Sequence, residues 1–178
     1  MKYTKIPETT FQNLQLNAGV LLRAFNPESA TVADESIIGA TTGGINFTAT
    51  PTYTDFGEDI DNCPKNMKEL KKLDSWEISL SGTYVTVDAN AVKALVGAAD
   101  VSENKITPRN DLKLTDFTDV WWVGDYSDQN GETNGGFAIQ SSDNGKGNFA
   151  FTYTAHYSMS AQDTVPFEVY VKAGTAEL

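Results

Sequence analysis

Ile45-Asn46-Phe47-Thr48-Ala49-Thr50-Pro51-Thr52-Tyr53 is the stretch that decides the fold class. Ile45, Phe47, Ala49 and Tyr53 alternate with Asn46, Thr48, Thr50 and Thr52. Successive side chains on a strand point to opposite faces, so this pattern predicts a half-buried strand with threonines on its wet face. Pro51 has no N–H to give to a ladder, which places this strand at a sheet edge or leaving the sheet. Upstream, Gly43-Gly44 reads as a bend or bulge.

The same period recurs twice downstream. Trp76, Ile78, Leu80 and Tyr84 alternate with Glu77, Ser79, Ser81 and Thr83. Phe149, Phe151, Tyr153, Ala155 and Tyr157 alternate with Ala150, Thr152, Thr154, His156 and Ser158. Further strands are expected at 19–25, 119–126, 136–141 and 166–173, the last with Phe167, Val169 and Val171 on one face. The turn Asp143-Asn144-Gly145-Lys146-Gly147 is expected to join its two flanking strands as a hairpin. Ile106-Thr107-Pro108-Arg109 reads as a short edge strand in an otherwise polar linker over 101–118. One helix stands out at 89–96: Asp88 is its cap, Val92, Leu95, Val96 and Ala99 form its apolar stripe, and Gly97 stops it. The expectation is a mainly β chain: an antiparallel β-sandwich or open barrel of about seven or eight strands with one flanking α-helix.

The chain has 178 residues, a length that suits one domain spanning 1–178, with residues 1–18 as an N-terminal arm. Its formal charge is −11 and its pI near 4.4. Such a surface repels phosphate and argues against tight nucleic-acid binding. Cys63 is the one cysteine, so no internal disulfide forms. Met1–Glu8 is not followed by the apolar region of a signal peptide, and no run approaches the ~18 apolar residues of a membrane span. The expectation is a protein made and used without export and without a membrane.

Residues 55–75 break the alternation. Asp55, Glu58, Asp59 and Asp61 come first, then Cys63-Pro64, then Lys65, Lys68, Lys71 and Lys72. This reads as a long inter-strand loop or arm with its charge split, a pattern suited to docking head to tail on a copy of itself. Loops of this length in compact domains are functional or mobile as a rule, and residues 55–73 are expected to order on assembly. The four acids lack the spacing of a calcium-binding EF-hand loop.

Catalytic patterns are thin. Asp116 with Asp119, or Asp125 with Asp128, are the carboxylate pairs a glycosidase would need. Trp76, Trp121 and Trp122 are candidates for a sugar platform. Trp121 and Trp122 are adjacent, so on a strand one faces the core and the other is exposed or at a subunit contact. His156, the one histidine, has neither a metal-sharing partner nor a serine signature. Gly43-Gly44 and Gly135-Gly136 lack the lysine of a phosphate loop and read as turns or bulges. No enzyme, cofactor or metal is expected. The alternative reading is a β-sandwich module binding carbohydrate or protein.

Taken together, Thr42-Gly43-Gly44, Asp55-Phe56-Gly57-Glu58-Asp59-Ile60-Asp61-Asn62-Cys63-Pro64-Lys65-Asn66, Ser81-Gly82-Thr83, Trp121-Trp122-Val123-Gly124-Asp125-Tyr126-Ser127, His156-Tyr157-Ser158 and Ala161-Gln162-Asp163-Thr164-Val165-Pro166-Phe167-Glu168 resemble the major tail protein of long-tailed phages and prophages of Gram-positive bacteria. The resemblance covers residues 19 to 174. It implies the tail-tube fold: two packed antiparallel sheets and a flanking helix, six copies to a ring, and rings stacked around a lumen that DNA traverses. It implies homo-oligomeric partners, the tape measure, tail terminator and distal tail proteins as neighbours, and a virion location after synthesis in the host cytoplasm. It makes 55–75 the inter-ring contact loop, with Asp55, Glu58, Asp59, Asp61, Lys65, Lys68, Lys71 and Lys72 as its contacts. Inter-subunit edges are then expected at Pro51, Ile106, Trp121 and Trp122, and an acidic lumen offers phosphate no grip. One departure stands out. The family pattern carries a second Gly-Gly-Phe after Asn134-Gly135-Gly136-Phe137, and this chain has one. That implies a sheet shortened around 131–140, as a natural short variant or an engineered deletion, with ring closure impaired.

Overall fold

The structure is a computed structural model that describes residues 19–29, 31–86, 89–103, 105–127, 133–143 and 150–172. Within them the chain is mainly β, with three antiparallel sheets and one α-helix. The strands are β1 (Val20–Leu22), β2 (Ile37–Gly39), β3 (Thr41–Asp55), β4 (Lys71–Tyr84), β5 (Ala99–Ser102), β6 (Lys105–Pro108), β7 (Thr118–Ser127), β8 (Thr133–Asp143), β9 (Ala150–Thr154) and β10 (Phe167–Lys172). The helix α1 spans Ala89–Val96.

A five-stranded sheet runs β10-β8-β7-β1-β2, and a three-stranded sheet runs β3-β4-β9. They face each other across one apolar cluster. Leu21, Ile38, Val120 and Trp122 come from the first sheet, and Ile45, Leu80, Tyr84, Phe151 and Tyr153 from the second. Leu95 of α1 joins them. This is the sandwich that the alternation predicts: Phe151, Tyr153 and Ala155 are buried while Thr152, Thr154 and His156 are exposed. Fully burying each large side chain contributes roughly 1.5–3 kcal/mol.

Gly43 and Gly44 have φ of 75° and 87° and form a bulge, where the β3–β4 register jumps from Thr42 to Ile45. Gly97, at φ 71°, ends α1 by donating to the Lys93 carbonyl. The helix turns Ala91 and Leu95 inward, with Val92 and Val96 half-buried. Ala99 is buried as the first residue of β5, not as part of the helix stripe.

Several expectations change. The strand containing Phe151 does not form a hairpin with the one before it: β8 pairs β7 and β10, whereas β9 pairs β4 across the sandwich. The inward aromatics of β9 complete the three-stranded sheet, and that burial decides its partner. The linker expected over 101–118 holds the end of β5 and all of β6, so the edge strand expected over Ile106–Arg109 is present as Lys105–Pro108, and its partner is β5, with Val101 opposite Ile106. Gly135 and Gly136 are ladder positions of β8 opposite Tyr126 and Asp125, beside a bulge, and not a turn. Val169 and Val171 are exposed: of that face of β10 only Phe167, at its start, reaches Phe47 and Trp76. β8 pairs continuously with β10 from Gly136 to Ser141. The arm 1–18, Asp88, Asp128, residues 131–132 and the turn at 144–147 lie outside the described residues.

Candidate subunit interface

The longest element is the β3–β4 hairpin, paired from Thr41–Tyr84 to Asp55–Lys71. β9 covers only Ser79 to Thr83 of β4. Two further contacts hold the next stretch: the Ala155 N–H donates to the Ile78 carbonyl, and the Trp76 N–H donates to the Tyr157 hydroxyl at 2.9 Å. Beyond Trp76 the two strands continue as a ribbon through the pairs Thr52–Ser75, Tyr53–Leu73, Thr54–Lys72 and Asp55–Lys71. At strand rise this adds roughly 15 Å. Asp74 is the extra residue of a bulge here, and its carboxylate accepts from the Thr54 hydroxyl.

The region expected as one long loop over 55–75 is strand only at its two ends, Asp55 in β3 and 71–75 in β4, with a long turn between them. Lys71 and Lys72 belong to β4, and the turn proper is residues 56–70. Cross-strand pairing satisfies the backbone groups of 71–75, which is why the loop contracts. Contacts within the tip brace its backbone. The Asp55 carboxylate accepts from the Gly57 N–H at 2.9 Å and from the Asn66 N–H at 3.2 Å. Lys71 Nζ donates to Asn66 Oδ1 at 2.9 Å and lies 5.9 Å from the Tyr53 ring centre. Asn62 and Asn66 take the left-handed turn positions at φ 60° and 64°. Buried Gly57 sits under Leu70 and Cys63. The Cys63 sulfur is half-buried, 3.6 Å from the Met67 sulfur.

This geometry sorts the eight expected contact residues. Asp55 and Lys71 are cross-strand partners at the root of the tip, where half-buried Asp55 accepts from the tip backbone and exposed Lys71 reaches Asn66. Glu58, Asp59, Asp61, Lys65 and Lys72 are exposed and form no ion pair among the described residues. Lys68 reaches only its neighbour Glu69, at 3.6 Å between two exposed side chains, a contact of little energy. Among the described residues no three histidine, cysteine or acidic side chains gather to hold a metal. Apolar side chains missed by sequence reasoning stand among the charges: Tyr53, Phe56, Ile60, Met67 and Leu73 are all exposed. Their pattern there, with no partner strand to face, was the available signal.

The expected edges divide. Pro51 lies half-buried on β3, an edge strand, opposite Trp76. Ile106 is half-buried on β6, which pairs only with β5. Trp121 and Trp122 are not at an edge: β7 lies between β8 and β1. Neither ring is exposed, at 8% and 9%. Trp122 enters the sandwich core, while Trp121 packs on the opposite face with Leu22, Ala138, Phe25 and a stacked Tyr170. The five-stranded sheet thus carries apolar clusters on both faces, which the rule of one wet face per strand missed. With Trp76 half-buried beside Phe167, the three tryptophans form no open platform.

The carboxylate pairs are also accounted for. Asp116 is 4% exposed, and both its oxygens accept from Arg109 Nη2 at 2.6 and 2.7 Å. The Lys113 N–H adds a bond at 2.9 Å. That backbone donor first, and the guanidinium second, hold the Asp116 carboxyl below the usual carboxylate range, while the same pairing raises Arg109. Arg109 Nε lies 3.0 Å from Asp100 but out of line for a hydrogen bond. Asp119 accepts from Gln140, and Asp125 is exposed. His156 is exposed with its ring against the edge of Phe117. No helix among the described residues is long and apolar enough to cross a membrane.

Comparison with protein-family models, with curated proteins and with solved structures finds no match.

Proposed function

We propose that this chain is a structural subunit of a phage tail tube, whose copies close into rings that stack around a passage for DNA. The observation that carries the reading is the β3–β4 ribbon. It runs past the three-stranded sheet, its tip is braced from within by Asp55 and Asn66, and it exposes five large apolar side chains among unpaired acids and lysines. A braced backbone has less freedom to lose on docking, so a tip of this kind is suited to a permanent contact. The strands at sheet edges among the described residues, β2, β3, β9 and β10, are a second support, since heterologous edge contacts build rings. The resemblance in sequence supplies the identity of the assembly, six copies per ring and the virion as its place.

The test is mass and shape in solution at rising concentration, by light scattering with negative-stain microscopy. Rings or hollow tubes are the expected result. A monomer at every concentration is followed by restoring a strand's worth of residues at 131–140: tubes that then form keep the reading with this chain as an assembly-impaired variant, and a monomer that persists overturns it.

A further inference from the structure

Between the β5–β6 hairpin and β7 the chain crosses the surface as a strap, residues 109–117. Residues 110–115 are all exposed, and Leu114 is 89% exposed. The strap therefore buries no apolar side chain before Phe117, which is half-buried against the His156 ring. Charge holds it instead. The Arg109 N–H donates to the Ala98 carbonyl, which fixes the first end on the hairpin. The Arg109 side chain, 11% exposed, holds the rest: Nη2 donates to both Asp116 oxygens and Nη1 to the Asp111 carbonyl. The Lys113 N–H donates to Asp116, and the Asp116 N–H returns to the Lys113 carbonyl. The other charges at this cluster face water: Asp100 on β5, and Asp111 and Lys113 on the strap, are each more than half exposed. Asp116, at 4%, is the one buried counter-charge of Arg109 among the described residues. Arg109 Nε, also buried, makes no hydrogen bond, so it holds no second acceptor in reserve.

We propose that residues 109–117 form an acid-released latch: with Asp116 ionised the strap lies closed on Arg109, and with Asp116 neutral it opens by itself while the sandwich stays folded. A guanidinium does not give up its proton. Neutralising Asp116 leaves Arg109 buried without a close counter-charge, and a buried charge that has lost its partner is strongly destabilising. Lifting residues 110–116 relieves this by letting water reach the guanidinium. Opening gives up no buried apolar side chain and returns backbone freedom to the strap, so the clasp is what opposes it. The exposed acids cannot stand in for Asp116, because water and salt screen them. The exposed His156, beyond β9, meets the strap at Phe117 and not at the carboxyl. The Lys113 N–H first, and Arg109 second, hold the Asp116 carboxyl below its usual range. The latch is therefore closed at neutral pH, and its release belongs below about pH 4, as the pH falls through that lowered value.

The test is amide hydrogen exchange of the full chain, read by mass spectrometry on peptides covering 109–117 and, for reference, β4 and β9. It is run at neutral and strongly acidic pH and corrected for the intrinsic rate at each. In Asp116→Asn at neutral pH, exchange over 110–117 is expected to quicken about ten- to a hundredfold, the scale of a lost hydrogen bond to a charged group, with β4 and β9 unchanged. The parent in strong acid is expected to show the same pattern. A strap that stays protected in both cases, or that loses protection only together with β4 and β9, would overturn the latch. Should Asp116→Asn fail to fold, the parent across the same pH range decides between these outcomes. Arg109→Met with Asp116→Asn has no cation to strand and no carboxyl to titrate, so exchange of its strap is expected to ignore acid. An acid response that survives in this double variant would place the switch in another group and overturn the proposal.

Discussion

Asp116 and Gly82 are positions where a single atom group decides the local structure. The Asp116 carboxyl titrates lower in the folded chain than the ~3.9 of an unfolded aspartate. Its contribution is therefore fully present above about pH 4 and is lost as the pH falls through the lower folded value. Asp116→Asn is expected to destabilise the protein most at neutral pH, with the gap to the parent closing in acid. Urea melts at neutral and strongly acidic pH check this, and a gap independent of pH would refute it. Arg109→Lys should be no rescue, because an ammonium cannot reproduce the guanidinium's contacts with Asp116 and the Asp111 carbonyl. At Gly82 a Cβ would stand 2.7 Å from Phe151 and 3.1 Å from the Gly44 carbonyl oxygen. Gly82→Ala is expected to cost about 1–3 kcal/mol by overpacking. Phe151→Ala, at a side chain 1% exposed, is expected to cost about 3–5 kcal/mol by leaving a cavity. Denaturant midpoints measure both.

Among the elements, the β3–β4 ribbon is separable from the sandwich. Its last rungs have exposed faces, and its tip is braced by its own bonds. Replacing residues 56–70 by Asn-Gly between Asp55 and Lys71 should give a two-residue hairpin in the existing register. Far-UV circular dichroism and the melting temperature are expected to stay close to the parent, while stacking of rings is lost. Tubes that form normally without the tip would refute its role. Much of this element was legible beforehand: the threonine alternation, the bulge at Gly43-Gly44 and the break at 55 all follow from local chemistry. Its reach was not, because whether Lys71 and Lys72 sit in a loop or a strand depends on a partner strand and not on their own side chains.

At the level of the whole molecule, the proposed tube would join copies through the sheet edges found among the described residues and through the charged, apolar-studded ribbon. The expected consequence is a solution mass that rises with concentration, and salt should weaken the part carried by the split charges of the tip. An assembly indifferent to salt would assign stacking to Tyr53, Phe56, Ile60, Met67 and Leu73 instead.

The sequence by itself determined which residues alternate, where α1 lies and where glycine must bend the chain, because strand and helix periods are properties of neighbouring residues. Only the tertiary structure decided which strands pair, that Trp121 and Trp122 are both buried on opposite faces of one sheet, and that Asp116 belongs to Arg109. Those outcomes depend on groups distant in the chain, which compete for the same buried surface and the same hydrogen bonds.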